Sequence, residues 1–168
     1  MKNNISINLE VSLIEIIMSI LIFAIAAVIM LNCFAIAKFT QTKANDKVQA
    51  GNIVQSNAEM IKSFNEPSDM DEYLIDNFKI LNKSINETTY ITYYDKNWNI
   101  SNETNKEYSI TVHTSEILMN SGKIIKINIL AEKTKHYPFI EKSKKIAPIY
   151  EIDTMKFFPI IEGGGKNE

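Results

Sequence analysis

A run of 22 residues without a charged side chain, Ile16 to Ala37, constrains this chain more than any other feature. Only Ser19 and Asn32 within it are distinctly polar. A helix of this length extends about 33 Å and therefore covers the roughly 30 Å hydrocarbon core of a bilayer. A buried helix of a small domain is rarely apolar on every face. We therefore predict a membrane helix that includes Ile16, Phe23 and Ala37.

The pattern around this run favours a helix that is retained over one that is removed. Ala35-Ile36-Ala37 has the form of a signal-peptidase exit, but the apolar stretch is longer than the 7–15 residues usual in a signal peptide. A lipoprotein cleaved before Cys33 would need a small residue in place of Asn32. Both alternatives fit the sequence less well than a membrane anchor.

Composition and missing motifs argue against several functions. The net charge is −2 and all 18 basic residues are lysines, so the chain lacks the arginines that read guanine and phosphate, and we expect no nucleic-acid partner. One cysteine cannot form an internal disulfide, and His113 and His136 have no partner at a metal-ligand spacing. No phosphate loop or nucleophile elbow is present. We expect no catalytic residues, metal or cofactor, and no enzymatic activity.

Residues 11–27 carry a family resemblance. Val11-Ser12-Leu13-Ile14-Glu15-Ile16-Ile17, followed by an apolar helix through Ala27, resembles the N-terminus of type IV pilins and type II secretion pseudopilins. The resemblance implies that Val11 is the first mature, N-methylated residue and that Glu15 pairs with the N-terminal amine of a neighbouring subunit during assembly. It also implies other pilin-like subunits, the assembly platform, a prepilin peptidase and membrane lipid as partners.

The chain departs from the family pattern at Glu10, where the family has the glycine that precedes the cleavage point. A carboxylate stands where the peptidase accepts no side chain. We therefore predict that Glu10 blocks or slows removal of a leader-like segment at 1–10, so that Val11 does not readily become an N-terminus.

Two signals disagree about orientation. The family keeps its leader in the cytoplasm and its C-terminal domain outside. Lys38, Lys43 and Lys47 follow the apolar run, whereas only Lys2 precedes it, and the positive-inside rule taken alone would favour the reverse. We follow the family and predict a single-pass protein of the cytoplasmic membrane with an extracytoplasmic C-terminal domain, in or at the base of a cell-surface filament.

After Ala37 the pattern becomes amphipathic. The apolar positions recur at spacings of three, four and seven, which is typical of a helix with one buried face: Phe39, Ala50, Ile53, Val54, Ala58, Ile61 and Phe64. Asp46 and the neighbouring lysines are predicted on the polar side. Gly51 weakens this helix without ending it. We predict one helix from Val11 to Phe64 and a short helix after it, capped by Ser68.

From Thr88 onward the apolar period becomes two, which predicts strands. The predicted strands are Thr88–Tyr94, Trp98–Ile100, Tyr108–His113, Glu116–Met119, Ile124–Leu130 and Ile149–Phe158. Asn120-Ser121-Gly122-Lys123 predicts a hairpin turn. The expected fold class is α+β, a long N-terminal helix packed on a C-terminal antiparallel sheet. The expected domains are a leader-like segment at 1–10, a membrane half of the stem at 11–37, an amphipathic half at 38–66, a sheet domain at 67–162 and a flexible tail at 163–168.

Two possible sites have simpler explanations. Asp69, Asp71 and Glu72 suggest calcium, but carboxylates are common in the first turn of a helix, where the dipole favours them. Tyr90, Tyr93, Tyr94 and Trp98 suggest a binding strip, but aromatic residues of strands more often pack in a core.

The sequence therefore predicts a structural subunit, a minor pilin or minor pseudopilin of a type IV pilus, type II secretion or competence-type filament. The first alternative is a single-pass membrane protein with an extracytoplasmic binding domain that does not enter a filament. The second is an exported enzyme with an uncleaved anchor, which the missing catalytic motifs disfavour.

Overall fold

The computed structural model describes residues 6–135, 137–138 and 148–159, with side chains from Leu13 onward. Two helices come first, α1 (Ser6–Ser63) and α2 (Pro67–Asn77). Six strands follow: β1 (Lys79–Lys83), β2 (Glu87–Tyr94), β3 (Ile100–Ser101), β4 (Tyr108–Met119), β5 (Gly122–Lys133) and β6 (Tyr150–Pro159). A 3₁₀ turn at Glu103–Asn105 leads into β4. The predicted tail at 163–168 lies outside the described residues.

Helix α1 is continuous over 58 residues, or about 87 Å. It ends one residue before the predicted end and begins five residues before the predicted start, so part of the leader-like segment belongs to the same helix. Gly51 lies within it without interrupting it. The chain then turns over 64–66, and Pro67 starts α2. Proline suits this position because the N–H that it lacks would have no hydrogen-bond partner in the first turn of a helix.

All six strands form one antiparallel sheet in the order β1-β2-β4-β5-β6, with the short β3 beside β2. Its centre is the hairpin of β4 and β5, two strands of twelve residues each that are joined across Asn120 and Ser121. They pair in register from Met119 with Gly122 to Tyr108 with Lys133. The predicted α+β architecture is confirmed: a long N-terminal helix lies on an antiparallel sheet.

One face of the sheet and one stripe of α1 make the core. The predicted alternation holds in β5, where Ile125, Ile127 and Ile129 are buried while Lys126 is exposed. Strands β2 and β4 contribute Tyr90, Tyr94, Tyr108, Ile110 and Val112 from the same face. The stem contributes Ala50, Val54, Ala58 and Ile61, and α2 contributes Met70 and Leu74. The predicted apolar stripe of the stem is therefore the buried one.

The stem runs alongside β6 and β5 in a fixed direction. Asp46 lies against the end of β5, Gly51 against Tyr150 at the start of β6, and the carbonyl of Lys62 accepts a hydrogen bond of 2.6 Å from Lys156 near the end of β6. Gly122, which directly follows the β4–β5 turn, pairs with Pro159 at the end of β6. The turn therefore lies at the end of the sheet farthest from the apolar half of α1.

Three local predictions were wrong. Ser68 does not cap α2; Glu66 occupies the N-cap without a side-chain hydrogen bond. The predicted strand at Trp98–Ile100 reduces to Ile100–Ser101, because Trp98 has a φ of 65° and belongs to the turn. Strand β1 was not predicted. All five of its residues are exposed, so it carries no alternating pattern and is held through pairing with β2.

Candidate functional site

The apolar half of α1 has no packing partner within the described chain. All side chains from 13 to 41 are exposed except Ala27, Ala35 and Phe39, which are half-buried, and Phe23 has 76% of its surface exposed. This stretch is long and apolar enough to cross a membrane, and no residue in its most apolar part is buried. Apolar surface on this scale needs a bilayer or other proteins to cover it.

Three hydroxyl groups in and just beyond this half are satisfied within the helix. Ser19 Oγ donates to the carbonyl of Glu15 at 2.8 Å, Thr40 to that of Ile36 at 2.8 Å and Thr42 to that of Lys38 at 3.0 Å. In hydrocarbon an unpaired hydroxyl is costly, whereas one bonded to the carbonyl four residues earlier is not. These three hydroxyl groups therefore add no unpaired donor to the surface of the stem.

The residues predicted to act in assembly and processing lie at the start of this half. Glu15 is exposed at the N-terminal edge of the apolar run. The side chains of Glu10 and Val11 lie outside the described part of the chain. Ile16, Phe23 and Ala37 are all exposed, as a membrane-facing role requires, and so is the single cysteine, Cys33.

A charged junction ties the second half of the stem to the sheet. Asp46 is only 6% exposed, and its Oδ2 accepts hydrogen bonds from Tyr137 Oη at 2.7 Å and from Lys133 Nζ at 3.2 Å. Lys133 also donates to Tyr108 Oη at 3.0 Å and pairs with Glu107 at 3.3 Å. A buried pair of this kind fixes geometry more than it adds stability, because desolvation offsets much of the attraction. The junction therefore sets the position of the stem on the sheet.

The protonation states of the junction follow from these contacts. Burial lowers the pKa of Lys133, but the hydrogen bond to Tyr108 and the charge of Asp46 outweigh it, so the pKa is raised above the usual lysine value. Burial raises the pKa of Tyr108, an effect that its bond to Lys133 opposes. The ammonium and the neutral phenol are thus the forms that the folded protein favours, and the junction is intact at neutral pH.

A second set of contacts fixes the stem against β6. Gly51 lies under the ring of Tyr150, where an added Cβ would stand 3.3 Å from the nearest ring carbon. Tyr150 Oη accepts a hydrogen bond from Gln55 Nε2 at 2.9 Å, one turn further along the stem. The absence of a side chain at Gly51 lets the aromatic ring approach the helix backbone, which explains a glycine in the middle of a helix.

The outer face of the sheet, opposite the stem, carries a shallow polar groove. Thr89, His113, Asn128 and Asp153 form one row across four strands. Thr89 Oγ1 lies 3.0 Å from His113 Nδ1, and Asn128 Nδ2 donates to both Asp153 and Glu151 at 2.8 Å. These hydrogen bonds join Thr89 to His113 and Asn128 to Asp153 within the row.

The fold divides the aromatic residues considered as a site between the core and the opposite face of the sheet. Tyr90 and Tyr94 are in the core, Tyr93 is on the opposite face, and Trp98 stacks on Tyr108 with ring centroids 4.1 Å apart. These residues therefore make no continuous binding strip. Asp69, Asp71 and Glu72 lie in the first half of α2, and within the described residues no three His, Cys, Asp or Glu side chains are grouped to hold a metal ion.

Sequence reasoning misplaced Asp46, which it assigned to the polar side of the stem. The carboxylate is buried because Lys133 and Tyr137, more than 80 residues later, supply its partners. A signal for this was present: Asp46 is four residues before Ala50 and eight before Val54, so it falls on the buried stripe. A carboxylate on such a stripe requires a partner.

Comparisons with protein-family models, with curated proteins and with solved structures found no match to this chain.

Proposed function

We propose that the chain is a structural subunit of a filament of the type IV pilus or type II secretion kind, a minor pilin or minor pseudopilin. The observation that carries the proposal is the division of α1, whose first half is bare and apolar while its second half is packed on the sheet. A stem of this design suits two environments in turn, the bilayer and a bundle of similar stems.

The N-terminal residues support the same proposal independently of the fold. Val11 to Glu15 resemble the start of pilins and pseudopilins, and Glu15 is exposed at the edge of the apolar run, where a neighbouring subunit can reach it. An ionisable side chain at such a position usually has a specific partner. In this proposal the other subunits and the assembly platform are the partners, and the sheet domain is extracytoplasmic.

Photo-cross-linking of the stem in its native host tests the proposal. The photoreactive residue p-benzoylphenylalanine replaces single residues in turn from Val28 to Ile36. Membranes are illuminated, and the cross-linked products are identified by mass spectrometry. Stems packed in a bundle give products with other pilin-like subunits at a period of three to four residues, because only one face meets each neighbour. Uniformly low yield at every position would contradict the proposal.

The second candidate is a single-pass membrane protein with a binding domain that enters no filament. The observation in its favour is the polar groove of Thr89, His113, Asn128 and Asp153 on the face away from the stem. This candidate predicts the same membrane anchorage without periodic cross-linking, so the photo-cross-linking scan separates the two candidates.

A further inference from the structure

Lysines collect where the apolar half of α1 meets the sheet domain. Lys38 directly follows the apolar run, Lys47 lies nine residues further along the stem, and Lys135 follows the end of β5. All three are exposed, and none makes an ion pair within the described residues. Lys43 belongs to the same region but lies over the ring of Tyr137.

The contacts of the charged junction place Lys47 and Lys135 at similar heights, about 14 Å beyond Lys38 along the stem. Lys133 and Tyr137 both reach Asp46, so Lys135 between them lies at the level of that turn of the stem. Asp46 is nine residues, or about 14 Å, beyond Ala37. The headgroup layer extends the bilayer by roughly 5–8 Å on each side, and a lysine side chain can reach back toward it along the helix. If the apolar half spans the bilayer, Lys38 lies within the headgroup layer, and Lys47 and Lys135 lie just outside it, with side chains long enough to reach it.

The local acidic groups do not neutralise these lysines. The stem has no carboxylate between Glu15 and Asp46, and the carboxylate of Asp46 is buried and bound to Lys133. Glu107 is also paired with Lys133. Glu132 is the remaining nearby acid on β5; it is half-buried, and its register partner Ser109 places it on the outer face of the sheet, away from the stem. Among the described residues, the region around the stem thus presents an excess of positive charge.

We propose that Lys38, Lys47 and Lys135 form a collar that binds the headgroups of anionic phospholipids, in the leaflet at the C-terminal end of the apolar half. The inference rests on the membrane insertion included in the proposed function. Ammonium groups near an anionic surface each strengthen binding by roughly fivefold, and the effect decays within a Debye length of about 8–10 Å. The collar holds the sheet domain against the membrane until the subunit leaves it.

Native mass spectrometry of the full-length protein tests the collar. The protein is purified in detergent micelles that contain equal amounts of phosphatidylglycerol and phosphatidylcholine, and the lipids retained per chain are counted. The wild type is expected to retain phosphatidylglycerol several-fold over phosphatidylcholine. The triple variant Lys38→Gln, Lys47→Gln, Lys135→Gln should lose most of that preference and retain the two lipids almost equally. A matched variant, Lys79→Gln, Lys83→Gln, Lys126→Gln, removes three exposed lysines elsewhere on the sheet and should keep it.

Each contrary result has a distinct meaning. Equal retention of the two lipids by the wild type, or an equal loss of preference in both triple variants, would overturn the collar. Displacement of the lipid by millimolar inorganic phosphate would indicate a simple anion site and would also overturn it. Recovery of the full-length protein from cells without membranes or detergent would instead overturn the proposed insertion, and the collar with it.

Discussion

At the scale of single residues, Trp98 has a backbone conformation that a residue with a side chain disfavours, and packing of the indole imposes it. Its φ of 65° is in the left-handed region, which favours glycine. Asp95 organises the turn by accepting N–H bonds from Asn97 and Asn99 at 2.8 and 2.9 Å. The indole stacks on Tyr108, and its buried N–H has no hydrogen-bond partner among the described residues. Stacking therefore holds the residue in this conformation.

A pair of substitutions separates the strain at Trp98 from its packing. Trp98→Ala and Trp98→Gly both remove the stack, but only glycine relieves the left-handed strain. We expect both to lower the free energy of unfolding, and the glycine variant to be the more stable by about 1 kcal/mol, contrary to the usual order. Urea denaturation of the two variants measures this difference, and an alanine variant as stable as the glycine variant would contradict it.

Asp71 carries a pH dependence that the sequence did not reveal. Burial raises its pKa; Lys123 and Lys83 oppose this and Glu116 adds to it. A raised carboxyl pKa means that the folded state disfavours the ionised form, so this ionisation reduces stability at neutral pH. The reduction disappears as the pH falls through the raised pKa toward the ordinary value of about 3.9.

Asp71→Asn is therefore expected to raise the melting temperature at pH 7, by an increment that shrinks on acidification and vanishes near pH 3. Glu72→Gln, an exposed position on the same helix, is the control and should change the melting temperature little at any pH. Thermal unfolding of both variants across this range makes the comparison. A lower melting temperature for Asp71→Asn at pH 7 would show that the lysines outweigh burial.

At the scale of elements, the stem is held by its buried stripe, and adjacent positions on it have opposite environments. Ile61 is fully buried and Met60 is 46% exposed. Ile61→Asp places an unpaired carboxylate in the core and should lower the free energy of unfolding of the full-length protein by several kcal/mol, whereas Met60→Asp should cost less than about 1 kcal/mol. Equal effects in chemical denaturation would mean that the stem does not pack on the sheet.

The elements that sequence predicted well are those whose pattern is local. The stem, the β4–β5 hairpin and β6 follow from uncharged length, helical spacing and strict alternation, as in Ile125, Ile127 and Ile129. The predictions that failed concern residues whose packing or hydrogen-bond partners lie far away in the sequence. Strand β1 has no buried residue and exists through β2, and Asp46 is buried by residues that only the folded sheet brings to it. The assembly and processing roles of Glu10, Val11 and Glu15 stay predictions.

At the scale of the whole molecule, the first question is whether the chain is processed. Glu10→Gly should yield, when a prepilin peptidase is co-expressed, a product ten residues shorter that begins at Val11. The wild type should remain full length, because a carboxylate occupies the position before the cleavage point. Intact-mass analysis distinguishes the two. A native mass that begins at Val11, with or without one added methyl group, would show that the peptidase tolerates Glu10.

We propose that α1 serves two environments, lipid for its first half and the sheet domain for its second. Reaction of single cysteines with a water-soluble maleimide in intact membranes tests it most directly, because thiols react only where water reaches them. The native Cys33 should stay unmodified until detergent is added, although the protein itself leaves it exposed. Glu59→Cys in a Cys33→Ser background, on the exposed side of the second half, should react at once in membranes opened to both sides. Rapid modification of Cys33 without detergent would contradict the claim.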